Sequence, residues 1–195
     1  MHTVKKLSTL TSIMAASLCS GAAIAATQSA DFHVTIRILP VCEVTTSTGG
    51  APSLENSSPS AGADINFGEY ASNHKTEVDK QSIAGSNEGI QVRCSKGTPY
   101  QIALTPESTS DNAGAGNMKG LGGTAAASDQ IAYTLYKDNA RREVWGNQQG
   151  SNTLSGSGQG IATTIKHPVY GRVLGTELDK TAGRYSDRVN VTVHY

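Results

Sequence analysis

The chain ends on "DRVNVTVHY" (187–195), in which Val189, Val191, Val193 and Tyr195 alternate with Asn190, Thr192 and His194. A period of two with one apolar face is the mark of a strand half-buried against a core. The same rhythm recurs in short runs: "DINFGEY" (64–70), "GIQVRC" (89–94), "PYQIALT" (99–105), "QIAYTLYKD" (130–138), "REVWG" (142–146) and "HPVYGRV" (167–173). Gly, Ser, Asn and Asp clusters separate them, and "KDNAR" reads as a hairpin turn because Asp and Asn tolerate tight backbone. Nothing repeats, and nothing has the period of a long amphipathic helix. Many short strands with such punctuation predict an all-β sandwich or barrel.

A second run matches the last in length and rhythm but lies near the other end. In "DFHVTIRILPVC" (31–42), Phe32, Val34, Ile36 and Ile38 point one way, and His33, Thr35 and Arg37 the other. A final strand that is apolar on one face, with nothing following it, is expected to risk an uncovered core beside that strand. The leading run would be a spare strand of matching length. Two readings follow from the pattern: an edge strand closing the chain's own sandwich, or a replacement strand carried for a neighbour.

The first residues set the compartment. His2, Lys5 and Lys6 precede a largely apolar stretch from Leu7 to Ile24, and Ala23-Ile24-Ala25 is a small-x-small cleavage pattern. Residues 1–25 therefore read as a signal peptide cut after Ala25. Cys19 leaves with it, since Leu18 is too large for the residue preceding a lipidated cysteine. Removal takes Lys5 and Lys6 from 16 basic side chains, leaving 14 against 16 acidic ones. That balance of −2 argues against nucleic acid or an anionic membrane as partner. No later apolar run approaches membrane-spanning length.

Cys42 and Cys94 remain in the mature chain. In an oxidising compartment such a pair predicts a disulfide, here read as a staple between two sheets. Closing a loop of about fifty residues stabilises by roughly 4 kcal/mol in the chain-entropy account. A metal site is disfavoured because no histidine lies at ligand spacing from either cysteine. The connections 45–63 and 106–128 are rich in Ser, Gly, Thr and Ala and are expected on the outside.

Catalytic chemistry finds no support. His33, His74, His167 and His194 are scattered and read as solvated surface residues. No serine sits in a Gly-x-Ser-x-Gly elbow. "GAGNMKG" and "GSGQG" lack the helix that a phosphate loop needs and read as flexible connections. "SDNAGAGN" has too few carboxylates for calcium. The expectation is no catalytic residue, no cofactor and no metal.

The spaced residues together resemble the spore coat protein U-like domain family. The resemblance rests on Phe67-Gly68, then Ile90, Val92 and Cys94 leading to Gly97, Tyr100, Ile102 and Leu104. It continues through Tyr133, Leu135, Tyr136, Asp138 and Arg141, with Trp145-Gly146. It closes on Tyr170-Gly171, Gly183, Tyr185 and Asp187 before the last valines. The similarity runs from about residue 31 to the end.

The resemblance implies a Csu-type subunit of archaic chaperone–usher pili. Its fold would be an immunoglobulin-like β-sandwich lacking one strand, completed by donor-strand complementation, a mode of strand addition to a sheet edge. It implies residues 26–41 as the donor extension and 42–195 as the pilin domain. Phe32, Val34, Ile36 and Ile38 would fill a neighbour's groove, and Val189, Val191, Val193 and Tyr195 would help line the receiving one, or flank it. Implied partners are neighbouring pilus subunits, a periplasmic chaperone and an outer-membrane usher, with passage through the periplasm to a surface fimbrium. The implied role is adhesion and biofilm support. A secreted monomeric binding module or a protective coat protein are the alternatives.

Overall fold

The computed structural model describes residues 26–46, 62–82, 88–109, 112–122, 125–126 and 128–195. The expected signal peptide and most of the 45–63 connection lie outside the described residues. The chain divides into two units, Met1–Arg37 and Ile38–Tyr195. In the first, residues 26–37 form neither strand nor helix, and residues 38–41 of the second form none either. The run 31–39 thus forms no strand with the described residues of its own chain: alternation supplies a face, but a strand also needs a partner for its main chain.

The second unit is all-β, and its strands pair antiparallel throughout. β1 (Cys42–Thr45), β3 (Ile90–Cys94) and β8 (Ile165–His167) form one three-stranded sheet, in the order β1-β3-β8. β4 (Pro99–Pro106), β7 (Leu154–Ser157) and β11 (Val189–His194) form another, in the order β11-β4-β7. A five-stranded sheet holds β2 (Val78–Gln81), β5 (Ala115–Gly120), β6 (Gln130–Tyr136), β9 (Tyr170–Val173) and β10 (Tyr185–Ser186), in the order β10-β5-β6-β9-β2.

The two small sheets are halves of one bent layer. Between β3 and β4, Gly97 N–H donates to Gly158 O and Gly158 N–H to Thr98 O, both at 2.8 Å, and Gly160 N–H reaches Cys94 O at 3.0 Å. The ribbon 90–106 is thus bonded along one edge by 154–167. β1 and β11 both lie on its opposite edge, β1 beside residues 91–94 and β11 beside 101–106.

One core lies between this layer and the five-stranded sheet. It joins Ile90, Val92 and Cys94 of β3 and Tyr100, Ile102 and Leu104 of β4 with Ile131, Tyr133 and Leu135 of β6, Val173 of β9 and Trp145. Trp145 is fully buried, and its indole N–H donates to Ile102 O at 2.9 Å. The expected hairpin at "KDNAR" is present: Lys137 N–H bonds Glu143 O at 2.9 Å, and the Asp138 carboxylate accepts from Arg142 N–H and Glu143 N–H. Those main-chain donors hold Asp138 below the usual carboxylate range. Arg141, at φ 54°, turns its guanidinium onto Gly171 O, Lys80 O and the Asp79 carboxylate, tying the turn to β9 and β2.

Four local expectations change. "DINFGEY" forms no strand, although Ile65 and Phe67 pack on the core; there Asn66 Oδ1 accepts the Gly68 N–H, a local bond that competes with a ladder. "REVWG" makes one isolated bridge, Tyr136 to Val144. "HPVYGRV" is split, because Pro168 separates β8 from β9 and the chain changes layer there; proline has no N–H to carry a ladder through.

The fourth change is in the 106–128 connection, which contains β5. Its "AGNMKG" pairs with β6 so that Gly116 faces Tyr133, and likewise Gly156 of "GSGQG" faces Tyr100. A Cβ at either glycine would lie 2.4 Å from the opposing tyrosine ring. Each glycine is the space into which a cross-strand ring folds, the arrangement known as aromatic rescue. Gly116→Ala or Gly156→Ala should therefore lower stability by about 1–3 kcal/mol through overpacking, read as a shift in the urea unfolding midpoint.

Candidate functional site

The last strand is partnered on one flank only. β11 pairs with β4 from Val189 opposite Pro106 to His194 opposite Gln101, and no other described strand joins it. Paired residues point to the same face, so Val191 shares the core side with Leu104, and Val193 with Ile102. Leu104 and Ile102 are buried, while Val189, Val191 and Val193 are half-buried and Tyr195 is 61% exposed. Burial fades toward this edge because nothing covers it among the described residues.

The main chain of β11 is half satisfied in the same sense. Leu104 N–H turns away from β11 to bond Gly146 O at 3.0 Å. Residues 101, 103 and 105 therefore carry the ladder to His194, Thr192 and Asn190. N–H and C=O directions alternate along a strand. The outward groups thus belong to Val189, Val191 and Val193, the same residues whose side chains face the core.

β1 repeats the pattern on the same side of the ribbon. Val44 pairs with the fully buried Val92 and so faces the core side, yet is 38% exposed. Val44 belongs with the edge residues, and sequence reading missed it. Its signal was the continued alternation two positions after Cys42. The expected disulfide joins Cys42 to Cys94. It does not link two sheets as expected: the two cysteines are direct partners in the β1–β3 ladder. Ser95 N–H bonds Val41 O at 2.9 Å just beyond it, so the root of β1 is doubly fixed.

The donor candidates are placed in the open: Phe32, Val34, Ile36 and Ile38 are 81–89% exposed. His33, Thr35 and Arg37 are exposed as well, so neither face of residues 32–38 is buried among the described residues.

Two polar clusters escaped the sequence. Asp187, just before β11, accepts Tyr133 O–H at 2.7 Å and the Ser108 O–H with one carboxylate oxygen, and Arg188 N–H at 2.9 Å with the other. Ser108 Oγ in turn accepts Asn117 N–H at 2.7 Å. Burial, and then the Asp187 carboxylate, hold the Tyr133 phenol far above its ordinary range, so it stays a donor. Elsewhere, Tyr100 Oη lies 2.9 Å from His167 Nε2. His167 is half-buried rather than solvated as expected, and burial depresses its pKa below 6.5.

The Spore Coat Protein U domain family matches residues 28–192. The chain belongs to that family. No curated protein is similar in sequence. Among solved structures, the Spore Coat Protein U chain is similar to the CsuC–CsuE chaperone–tip adhesion subunit pre-assembly complex from archaic chaperone–usher Csu pili of Acinetobacter baumannii. That likeness has 22% identity and a TM-score of 0.44, covering 81% of this chain and 40% of the other. A chaperone–tip adhesin complex of CFA/I fimbriae biogenesis is also similar, at 12% identity and a TM-score of 0.38, covering 78% and 41%. This chain spans less than half the length of either.

The depressed pKa of His167 gives a pH dependence of definite sign. The unfolded imidazole takes up a proton below about pH 6.5, while the folded one resists it, so unfolding binds protons. Stability should fall as pH drops through 6.5 toward the lower folded value, by at most about 1.4 kcal/mol per pH unit from this group. His167→Gln should flatten that part of the curve, measured as urea midpoints between pH 7 and 5.

Proposed function

We propose that this Spore Coat Protein U protein is a non-enzymatic pilus subunit that polymerises by lending its leading strand to a neighbour. One observation carries the reading. Among the described residues, β11 presents half-buried valines and outward main-chain groups along an edge that no other strand joins, while an apolar comb of matching length, Phe32, Val34, Ile36 and Ile38, stands exposed and outside any ladder. An exposed edge of this kind is a template for another strand. The edge of β4 is not available to the leading segment, since β11 occupies it from Gln101 to Pro106.

The energies are of the needed size. Burying four large apolar side chains contributes about 6–12 kcal/mol before ordering costs. Each new main-chain hydrogen bond adds on the order of 1 kcal/mol. Such a sum is comparable to the ~5–15 kcal/mol stability of a whole domain. A body lacking it requires a partner during biogenesis, the role of a periplasmic chaperone that passes the subunit to an outer-membrane usher. Residues 1–25 direct export, 26–41 form the donor extension, and 42–195 form the receiving body. Head-to-tail exchange is a heterologous contact that does not close, so it grows a filament at the cell surface. Attachment and biofilm support are the function of that filament.

Ile36→Asp tests this directly, because a buried unpaired carboxylate costs several kcal/mol. Unheated surface extracts of cells bearing the wild-type chain should give a ladder on a denaturing gel that collapses to monomer on boiling. The variant should give monomer alone. A wild-type chain that runs as monomer before boiling, or an unaltered ladder from the variant, contradicts the proposal.

A further inference from the structure

We infer that Asp187 is the positioning residue of the receiving edge: it ties the root of β11 to the opposite sheet and so sets the opening that an incoming strand enters. The inference rests on the strand-lending reading above and adds to it the residue that shapes the receiving site.

β11 is bonded to β4 along one flank, and its far end, Tyr195, is exposed. The other flank carries half-buried valines over a core that also includes the five-stranded sheet. Among the described residues, main-chain pairing holds this strand from the β4 side only. An uncovered apolar face gains by settling inward, and doing so would fill the space that donor side chains require. A polar tether of fixed length opposes that collapse.

Asp187 has the geometry of such a tether. It sits two residues before the first valine of β11, and its carboxylate gathers groups from two other elements directly and from a third through Ser108. Tyr133 comes from β6 and Ser108 from the segment following β4. Asn117 of β5 fixes Ser108 through its main-chain N–H. Arg188 N–H, on the other oxygen, orients the carboxylate, and Arg188 O accepts Glu107 N–H at 2.8 Å as the first rung of the β11–β4 ladder. The Tyr133 ring is itself immobilised, buried over Gly116 with no room for a Cβ beneath it. A locked phenol and a carboxylate therefore span from the five-stranded sheet to the root of β11, beside the apolar contacts of its valines. Charge-assisted bonds of this kind are short and directional, as the role demands.

The test uses the full mature chain with Ile36→Asp, which is held from polymerising, and a fluorescent synthetic peptide of residues 28–40 as the probe. Binding is read by anisotropy, and exchange at the amides of Asn190, Thr192 and His194 by mass spectrometry. Asp187→Ala in that background should weaken peptide binding about tenfold or more, as expected for losing hydrogen bonds to a charged group. It should also speed exchange in β11 while β6 stays protected. Asp187→Asn keeps one acceptor for Tyr133 and Ser108 but loses the charge and the acceptor for Arg188 N–H, so it should recover part of the affinity. Tyr133→Phe, which keeps the ring over Gly116, should give an intermediate loss and decides the matter should Asp187→Ala fail to fold. Unchanged affinity in Asp187→Ala or in Tyr133→Phe overturns the inference. So does an Asp187→Asn variant as weak as Asp187→Ala. Failure of the Ile36→Asp parent to bind the peptide at all overturns the strand-lending reading, and the anchoring role with it.

Discussion

A main-chain group held against a core must find a partner, and the β4–β11 ladder supplies only half of what β11 needs. Its inward flank satisfies Asn190, Thr192 and His194, while the groups of Val189, Val191 and Val193 turn the other way. Because side chains and main-chain directions both alternate with period two, the residues whose main-chain groups turn away from β4 are also the apolar ones. Covering this edge with an ordinary loop would meet one need and leave the other. A strand meets both at once, with side chains entering the core and its own main chain completing the ladder.

That requirement explains why the edge is held so firmly elsewhere. β1 and β11 occupy the same side of the ribbon 90–106, yet neither is left to its ladder alone. A disulfide between directly paired residues fixes β1 at its root. The Asp187 carboxylate fixes β11 at its own. Both anchors stand at strand beginnings, where fraying would otherwise erase a short strand. On the far sheet, Arg141 and Arg172 converge on Asp79 and brace β2 and β9, so the opposite wall is equally settled. The Arg172 guanidinium holds the Asp79 carboxyl below its ordinary range, the mark of a charge kept in its ionised state.

Strands whose apolar residues alternate were legible in the sequence, as the runs at 90–94, 99–106, 130–136 and 189–194 show. Membership in the family was legible from the spaced aromatic and glycine positions that these strands carry. What escaped was set by contacts across strands. "AGNMKG" has almost no intrinsic strand preference, and its place beside β6 depends on Tyr133 using the vacancy at Gly116. The 64–70 run alternates convincingly, but a side chain at Asn66 diverts its main chain. Composition called both connections external, and for 115–120 it was wrong because a small residue serves as a socket as well as a spacer. At the candidate site the valine comb could be read directly. Val44 was missed although the alternation continues to it from Cys42, and the Asp187 cluster was not readable because Tyr133 and Ser108 reach that carboxylate only across strands.

The proposed exchange also has to choose a register. A slip of one residue would turn Arg37, Thr35 and His33 into the core, and burying a cation without a partner costs far more than any valine or isoleucine contributes. A slip of two keeps the faces correct and loses only one side chain at an end, roughly 1.5–3 kcal/mol. The interior of the comb, Val34, Ile36 and Ile38, therefore discriminates faces well and positions poorly. Discrimination between positions falls to its ends. Phe32 is the largest member and fits fewer places than an aliphatic side chain, and Pro40 has no N–H to extend a ladder. The segment is thus built as a uniform middle between two distinct stops, which confines a smooth apolar strand to one alignment.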